Sequence, residues 1–183
     1  NMPARRLDNF CKERKLNLVS LVAVHIEPMG VYSKKMKDVT SFAEGAKVAI
    51  PNDPTNGGRA LKILADAGFF KLKEGVGVNG TPADIIDNPK KVQVVEMEAA
   101  VLPRALEDVD YAVINSNYAL GVNLNPVKDA LFMEGKDSPY ANIVAVRAND
   151  KRPELQKLAK ALTSPEVKKF IEEKYQGAVV TAF

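Results

Sequence analysis

One cysteine, one histidine and no tryptophan among 183 residues leave this chain a thin inventory for chemistry. The lone Cys11 excludes an intrachain disulfide, and one cysteine with one histidine excludes a structural zinc site of the usual ligands and spacing. No apolar run reaches the roughly 20 residues that a membrane-crossing helix needs. A surplus of one charge is missing too. The 26 Lys and Arg residues are interleaved with 23 Asp and Glu, for a net charge of +3, which reads as a solvated surface with no nucleic-acid partner. The opening Asn1-Met2-Pro3-Ala4-Arg5-Arg6-Leu7 leads into no apolar signal core. Asp8-Asn9-Phe10 stand ahead of Cys11 where lipid attachment wants small and apolar residues. The expectation is a cytosolic chain, or one whose export segment lies upstream.

What is present is ordinary globular material, 46% hydrophobic and 27% charged. The length suits one compact domain or two small lobes, with a core that needs no staple. Strand-like and helix-like patterns alternate. Leu18 to Ile26 is apolar and β-branched, with Met29 to Tyr32 as an extended continuation. Asp38 is placed to cap a short helix through Ala43, stopped by Gly45. Lys47 to Ile50 reads as a buried strand ended by Pro51. Pro51 to Gly58 is turn chemistry, and a helical period starts at Arg59 and stops at Gly68. Val92 to Glu96 is a strand, Ala99 to Leu106 a helix, Tyr111 to Asn115 a strand, and Ile143 to Arg147 another. These spacings predict an α/β fold with parallel pairing through right-handed crossovers.

Two helices close the chain. Leu155, Leu158, Ala159 and Leu162 form the stripe of the first. The second opens on Ser164-Pro165-Glu166 and buries Val167, Phe170 and Ile171. The weakly periodic segments near Glu27-Pro28 and from Asp137 to Asn142 are candidate crossings between lobes.

Four constellations bear on function. His25 and Glu27 face the same side of a strand, but no nucleophile elbow accompanies them. Gly75 to Gly80 matches G-x-G-x-x-G, yet the charged Lys71-Leu72-Lys73-Glu74 ahead of it is not a buried strand. Thr81-Pro82-Ala83-Asp84 behind it has its own cap, so a glycine-rich surface loop is the better reading and a nucleotide-using enzyme the weaker one. Pro51-Asn52-Asp53-Pro54-Thr55-Asn56-Gly57-Gly58-Arg59 follows a buried strand and opens a helix. Its free N–H groups converge there, and Arg59 in the first turn suits a carboxylate ligand, or else pairs with Asp53 or Asp84. Asn115 and Asn142 lie at strand ends, where an asparagine can give and accept hydrogen bonds to an amino acid, or simply make a turn.

Val24-His25-Ile26-Glu27-Pro28-Met29-Gly30-Val31-Tyr32-Ser33 and Ala49-Ile50-Pro51-Asn52-Asp53-Pro54-Thr55-Asn56-Gly57-Gly58-Arg59-Ala60-Leu61 resemble the methionine-binding lipoproteins of the NlpA/MetQ type. The likeness continues through Glu98-Ala99-Ala100, Leu102-Pro103-Arg104, Ala112 to Ala119 and Asp137-Ser138-Pro139-Tyr140-Ala141-Asn142. It implies a periplasmic-binding-protein-like fold (type II) of two α/β lobes. It also implies a role in delivering L- or D-methionine, or a related amino acid, to the membrane subunits of an ABC importer from a periplasmic or lipid-anchored position. Arg59 would hold the ligand carboxylate, and Asn115 and Asn142 its amino-acid end. Neither pattern nor resemblance points to catalysis, a metal or a cofactor.

The family carries more chain ahead of the position of Leu7, and an aromatic ligand-contacting motif where Pro3-Ala4-Arg5-Arg6 stand. The expectation is therefore one complete lobe, residues 30–138, and a partial one from residues 1–29 with 139–183. Such a chain would bind methionine weakly and form homo-oligomers through the incomplete lobe. The alternative is a family remnant that no longer transports and acts as an interaction or surface-antigen protein.

Overall fold

The computed structural model describes residues 2–135 and 139–183, with side chains except at residues 2–6 and 9. Asp137 and Ser138, at the start of the second expected crossing, lie outside the described residues, as do the side chains of Pro3-Ala4-Arg5-Arg6. The chain divides into two units, Asn1–Pro28 with Gly135–Phe183, and the larger Met29–Glu134.

The smaller unit begins with β1 (Met2–Pro3), α1 (Ala4–Arg14) and β2 (Leu18–Ile26). The larger runs β3 (Gly30–Tyr32), β4 (Lys47–Pro51), α2 (Pro54–Asp66), β5 (Lys71–Leu72), β6 (Ile85–Asp87), β7 (Gln93–Met97) and α3 (Leu102–Ala105). It continues with β8 (Tyr111–Ile114), α4 (Ser116–Gly121), α5 (Pro126–Asp129) and β9 (Phe132–Met133). The chain returns to the smaller unit through β10 (Asn142–Arg147), α6 (Pro153–Leu162), α7 (Pro165–Tyr175) and β11 (Val180–Thr181).

Side-chain alternation organises the larger unit. Its five-stranded sheet has the order β7-β4-β8-β3-β9; β4 pairs parallel with β7 and β8, and β3 antiparallel with β8 and β9. Val31, Val48, Ile50, Tyr111 and Val113 point to one face, where Ala60, Leu61, Ile63 and Leu64 of α2 cover them. Tyr32, Ala49, Ala112 and Ile114 point to the other, under Leu102 and Leu106. Both faces are dry, which is why β4 and β8 read as continuous apolar runs. On the α2 face Phe42 stacks on Phe69 at 4.7 Å, and Tyr111 meets Phe69 edge-on at 5.0 Å. These are the favoured aromatic geometries. The Tyr111 hydroxyl donates to the Asp38 carbonyl at 2.8 Å, and burial pushes its phenol up to about 12.

Several expectations need correction. No helix follows Asp38. Its carboxylate accepts from the Thr40 and Ser41 N–H groups at 2.8 and 2.6 Å, and Lys90 donates to the Thr40 and Phe42 carbonyls. A side chain that satisfies local N–H groups competes with a helix in this way, and the turn delivers Phe42 to the core. The helix after β4 starts at Pro54, with Asp53 as its cap, so Gly57 and Gly58 are helical and Arg59 stands in the second turn. The helix expected over 99–106 is only Leu102–Ala105. Leu102 and Leu106 plug the core, and the Asp110 N–H then bonds to the Lys47 carbonyl, turning the chain into β8. The Lys71–Glu74 connection contains a short strand, Lys71–Leu72, paired antiparallel with β6.

The smaller unit carries a four-stranded sheet, β1-β10-β2-β11, antiparallel throughout. Only β2 and β10 are legible in the sequence; β1 and β11 are two-residue strands too short to show a period. Ser164 caps α7 by accepting from the Val167 N–H at 3.3 Å. Ile171 is buried, but Phe170 is 54% and Leu158 43% exposed, so the closing stripes are not covered as the pattern alone required.

Gly58 shows why the G-x-G-x-x-G loop exists. A Cβ there would lie 2.2 Å from the Val78 carbonyl oxygen, so the glycine lets the loop's backbone rest on α2. Elsewhere in a helix Gly→Ala stabilises by about 1 kcal/mol. Gly58→Ala is expected to do the reverse, losing about 1–3 kcal/mol to overpacking. Urea unfolding gives the sign, and a stabilised variant would show that the loop is not seated there.

Candidate functional site

The carboxyl ends of β4 and β8 are neighbours, and polar side chains gather where the chain leaves them. Asp53 caps α2, its Oδ1 accepting from the Asn56 N–H at 3.0 Å. The same carboxylate accepts from Asn56 Nδ2 at 3.1 and 3.0 Å. Asn115 occupies the cap position of α4, yet its side chain makes no capping bond. Instead its Nδ2 donates to Asn56 Oδ1 at 3.2 Å. Asn115 Oδ1 is then buried with no hydrogen-bond partner among the described residues. A buried acceptor left unpaired costs about 1–3 kcal/mol, so this atom is poised for a donor. Tyr32 Oη is buried with no hydrogen-bond partner among the described residues as well; burial, and after it the charge of Asp129, raise its phenol above the ordinary range.

Arg59 projects from α2 and is 7% exposed. Its Nε donates to Glu134 Oε1 at 2.9 Å, and Nη2 pairs with Oε2. The same Oε2 accepts from the Met29 N–H at 3.2 Å, while the Glu134 N–H bonds to the Met29 carbonyl at 2.9 Å. The sequence offered Asp53 or Asp84 as partners for Arg59. Neither is used: Asp53 is turned to Asn56, and Asp84 closes a capping box with Thr81. Glu134 lies far along the chain in a segment without period, so nothing in the sequence marked it. Asn56 was visible only as a turn residue.

Asn142 belongs to the smaller unit. It opens β10, opposite Pro3 of β1 and His25 of β2, and is half-buried. Thus Arg59 and Asn115 sit on the larger unit and Asn142 on the smaller. His25 pairs with Glu27 at 3.1 Å. Among the described residues no three His, Cys, Asp or Glu side chains cluster as a metal site would require.

Comparisons with known proteins bear on this arrangement. The pattern of the NlpA lipoprotein family matches residues 4–183. A probable D-methionine-binding lipoprotein MetQ of Vibrio cholerae is 43% identical over 175 residues, which are 95% of this chain and 65% of that protein. The D-methionine-binding lipoprotein MetQ of Escherichia coli is 41% identical over 177 residues, again 65% of its length. This chain therefore spans a little under two thirds of these curated relatives. A nutrient binding protein from Burkholderia cenocepacia, solved bound to methionine, superposes with a TM-score of 0.87 at 49% identity, covering 100% of this chain and 77% of that one.

The buried Arg59–Glu134 fork makes a prediction independent of any ligand. Arg59→Met removes the cation beside a buried carboxylate and is expected to cost about 3–5 kcal/mol, whereas the double variant Arg59→Met, Glu134→Leu recovers most of that loss. Urea unfolding of the two single variants and the double one measures it. Additive losses would mean that the two side chains do not act as a pair.

Proposed function

The chain belongs to the NlpA lipoprotein family, and we propose that it binds methionine or a closely related amino acid as the extracytoplasmic substrate-binding component of an ABC importer. It has the α/β, periplasmic-binding-protein-like fold of its methionine-binding relatives. The observation that carries the proposal is the 49% identity, over the whole of this chain, to a protein solved with methionine bound.

In this reading Arg59 holds the ligand carboxylate. The charge and planar fork of its guanidinium suit a carboxylate, and Glu134 engages the Nε/Nη2 edge. Asn115 on the larger unit and Asn142 on the smaller contact the amino-acid end. Residues 30–138 are read as one lobe, and residues 1–29 with 139–183 as part of the other. Transport places the protein outside the cytoplasmic membrane, with the importer's membrane subunits as its partners.

Calorimetry with L- and D-methionine tests this. Asn115→Ala and Asn142→Ala are each expected to weaken binding by about 1–3 kcal/mol, or roughly ten- to hundredfold. Arg59→Lys keeps the charge but loses the fork, and should weaken binding comparably. Unchanged affinity in all three would remove these residues from the site, and no heat with either enantiomer would remove methionine.

Self-association is the second part of the proposal. Leu16, Val19, Leu158, Phe170 and Phe183 of the smaller unit are each more than 40% exposed, and exposed apolar groups favour burial against a second copy. Light scattering at micromolar concentration should then give at least twice the 19.9 kDa chain mass. A monomer that stays soluble would refute it.

A further inference from the structure

The geometry points to Asp53 and Asn56 as positioning residues that fix which end of the Asn115 amide faces a ligand. This rests on the reading of Asn115 as a ligand contact. An asparagine side chain has a donating and an accepting end of almost the same shape, and by itself presents either. Here the choice is made two residues away. An ionised carboxylate only accepts, so Asp53 compels Asn56 to turn its Nδ2 inward, and both carboxylate oxygens receive it, at 3.1 and 3.0 Å. Asn56 must then show Oδ1 to its other neighbour. Asn115 answers with Nδ2 at 3.2 Å, which leaves Oδ1 as its remaining end. That atom is buried and has no partner among the described residues.

Three features set this relay apart from ordinary cap chemistry. Asn115 sits at the cap position of α4, where its side-chain oxygen would normally accept an N–H of the helix, and that oxygen makes no such bond. Asp53 does cap α2, so one carboxylate both starts a helix and sets the polarity of the chain of amides. Finally, the relay joins the ends of two parallel neighbours, β4 and β8, so the strand pairing itself holds its members in place.

A site that shows a fixed acceptor selects ligands carrying a donor. The α-ammonium of a free amino acid qualifies; a carboxylic acid lacking that group does not. Asp53 and Asn56 touch no ligand in this scheme. They convert an ambiguous asparagine into a reader of the amino group.

The test compares methionine with its desamino analogue, 4-(methylthio)butanoate, on the full chain by calorimetry. The parent should prefer methionine at least tenfold, the scale of one hydrogen bond to a charged group. Asp53→Ser keeps a good helix cap, but its hydroxyl both donates and accepts, so it no longer dictates the orientation of Asn56. In that variant the preference should fall at least threefold, with the thermal midpoint little changed. Asn56→Ala should do the same, and serves if the serine variant folds poorly. A preference that stays at the parental value in both folded variants overturns the relay. Hydrogen exchange of the Asn115 side-chain NH2, followed by NMR, gives a second readout that needs no ligand. It should be protected in the parent and lose protection in Asp53→Ser. If the parent binds neither compound, the methionine reading fails on its own. An unprotected Asn115 amide in the parent would dispose of the relay whatever the calorimetry shows.

Discussion

The larger unit starts at Met29 and ends at Glu134, and those two residues are bonded to each other. The Glu134 N–H reaches the Met29 carbonyl, the Met29 N–H reaches the Glu134 carboxylate, and Arg59 grips that carboxylate from α2. A guanidinium and a carboxylate this deeply buried are each costly alone, so the sheet edge, the helix and both ends of the larger unit are tied to one another. β3 lies between β8 and β9 because its first residue follows this clasp and β9 runs into it. The orientation of α2, and with it the cap at Asp53, follows from the same point.

That constraint explains which parts were legible in the sequence. β4 and β8 announce themselves because both faces of their sheet are covered, so every position but the exposed Lys47 that opens β4 is apolar. The closing helices are legible from Ser164-Pro165-Glu166 and from their spacing. The start of α2 was misplaced by several residues because Pro, Asn, Asp and Gly read as turn chemistry. One of those glycines, Gly58, stands in the helix for a reason outside it, the carbonyl of Val78 lying against it. Asp38 failed as a helix start because its carboxylate closed a turn locally and Phe42 was needed in the aromatic cluster. β1 and β11 carry two residues each, too few for any pattern.

The site divides in the same way. Arg59, Asn115 and Asn142 are proposed as ligand contacts from residue type and, for the two asparagines, from placement at strand ends. Their partners could not. Glu134 is 75 positions from Arg59, and Asn56 is 59 from Asn115, and a hydrogen bond across such separations leaves no trace in local periodicity. The same blindness put Arg59 in a first helical turn, where a cation opposes the helix dipole. In the second turn, with a carboxylate beside it, that conflict does not arise.

The clasp also has a kinetic consequence. The central pair of the smaller unit joins β2 to β10, with His25 opposite Asn142, so the whole larger unit is a loop between them. Closing an unstructured loop of that length costs about 4 kcal/mol of chain entropy, against about 2 kcal/mol for one of roughly ten residues. Once Met29 and Glu134 are joined, the effective loop is short. The smaller unit is thus a late folder by topology, its sheet zipped only after an inserted neighbour has brought the two strands within reach.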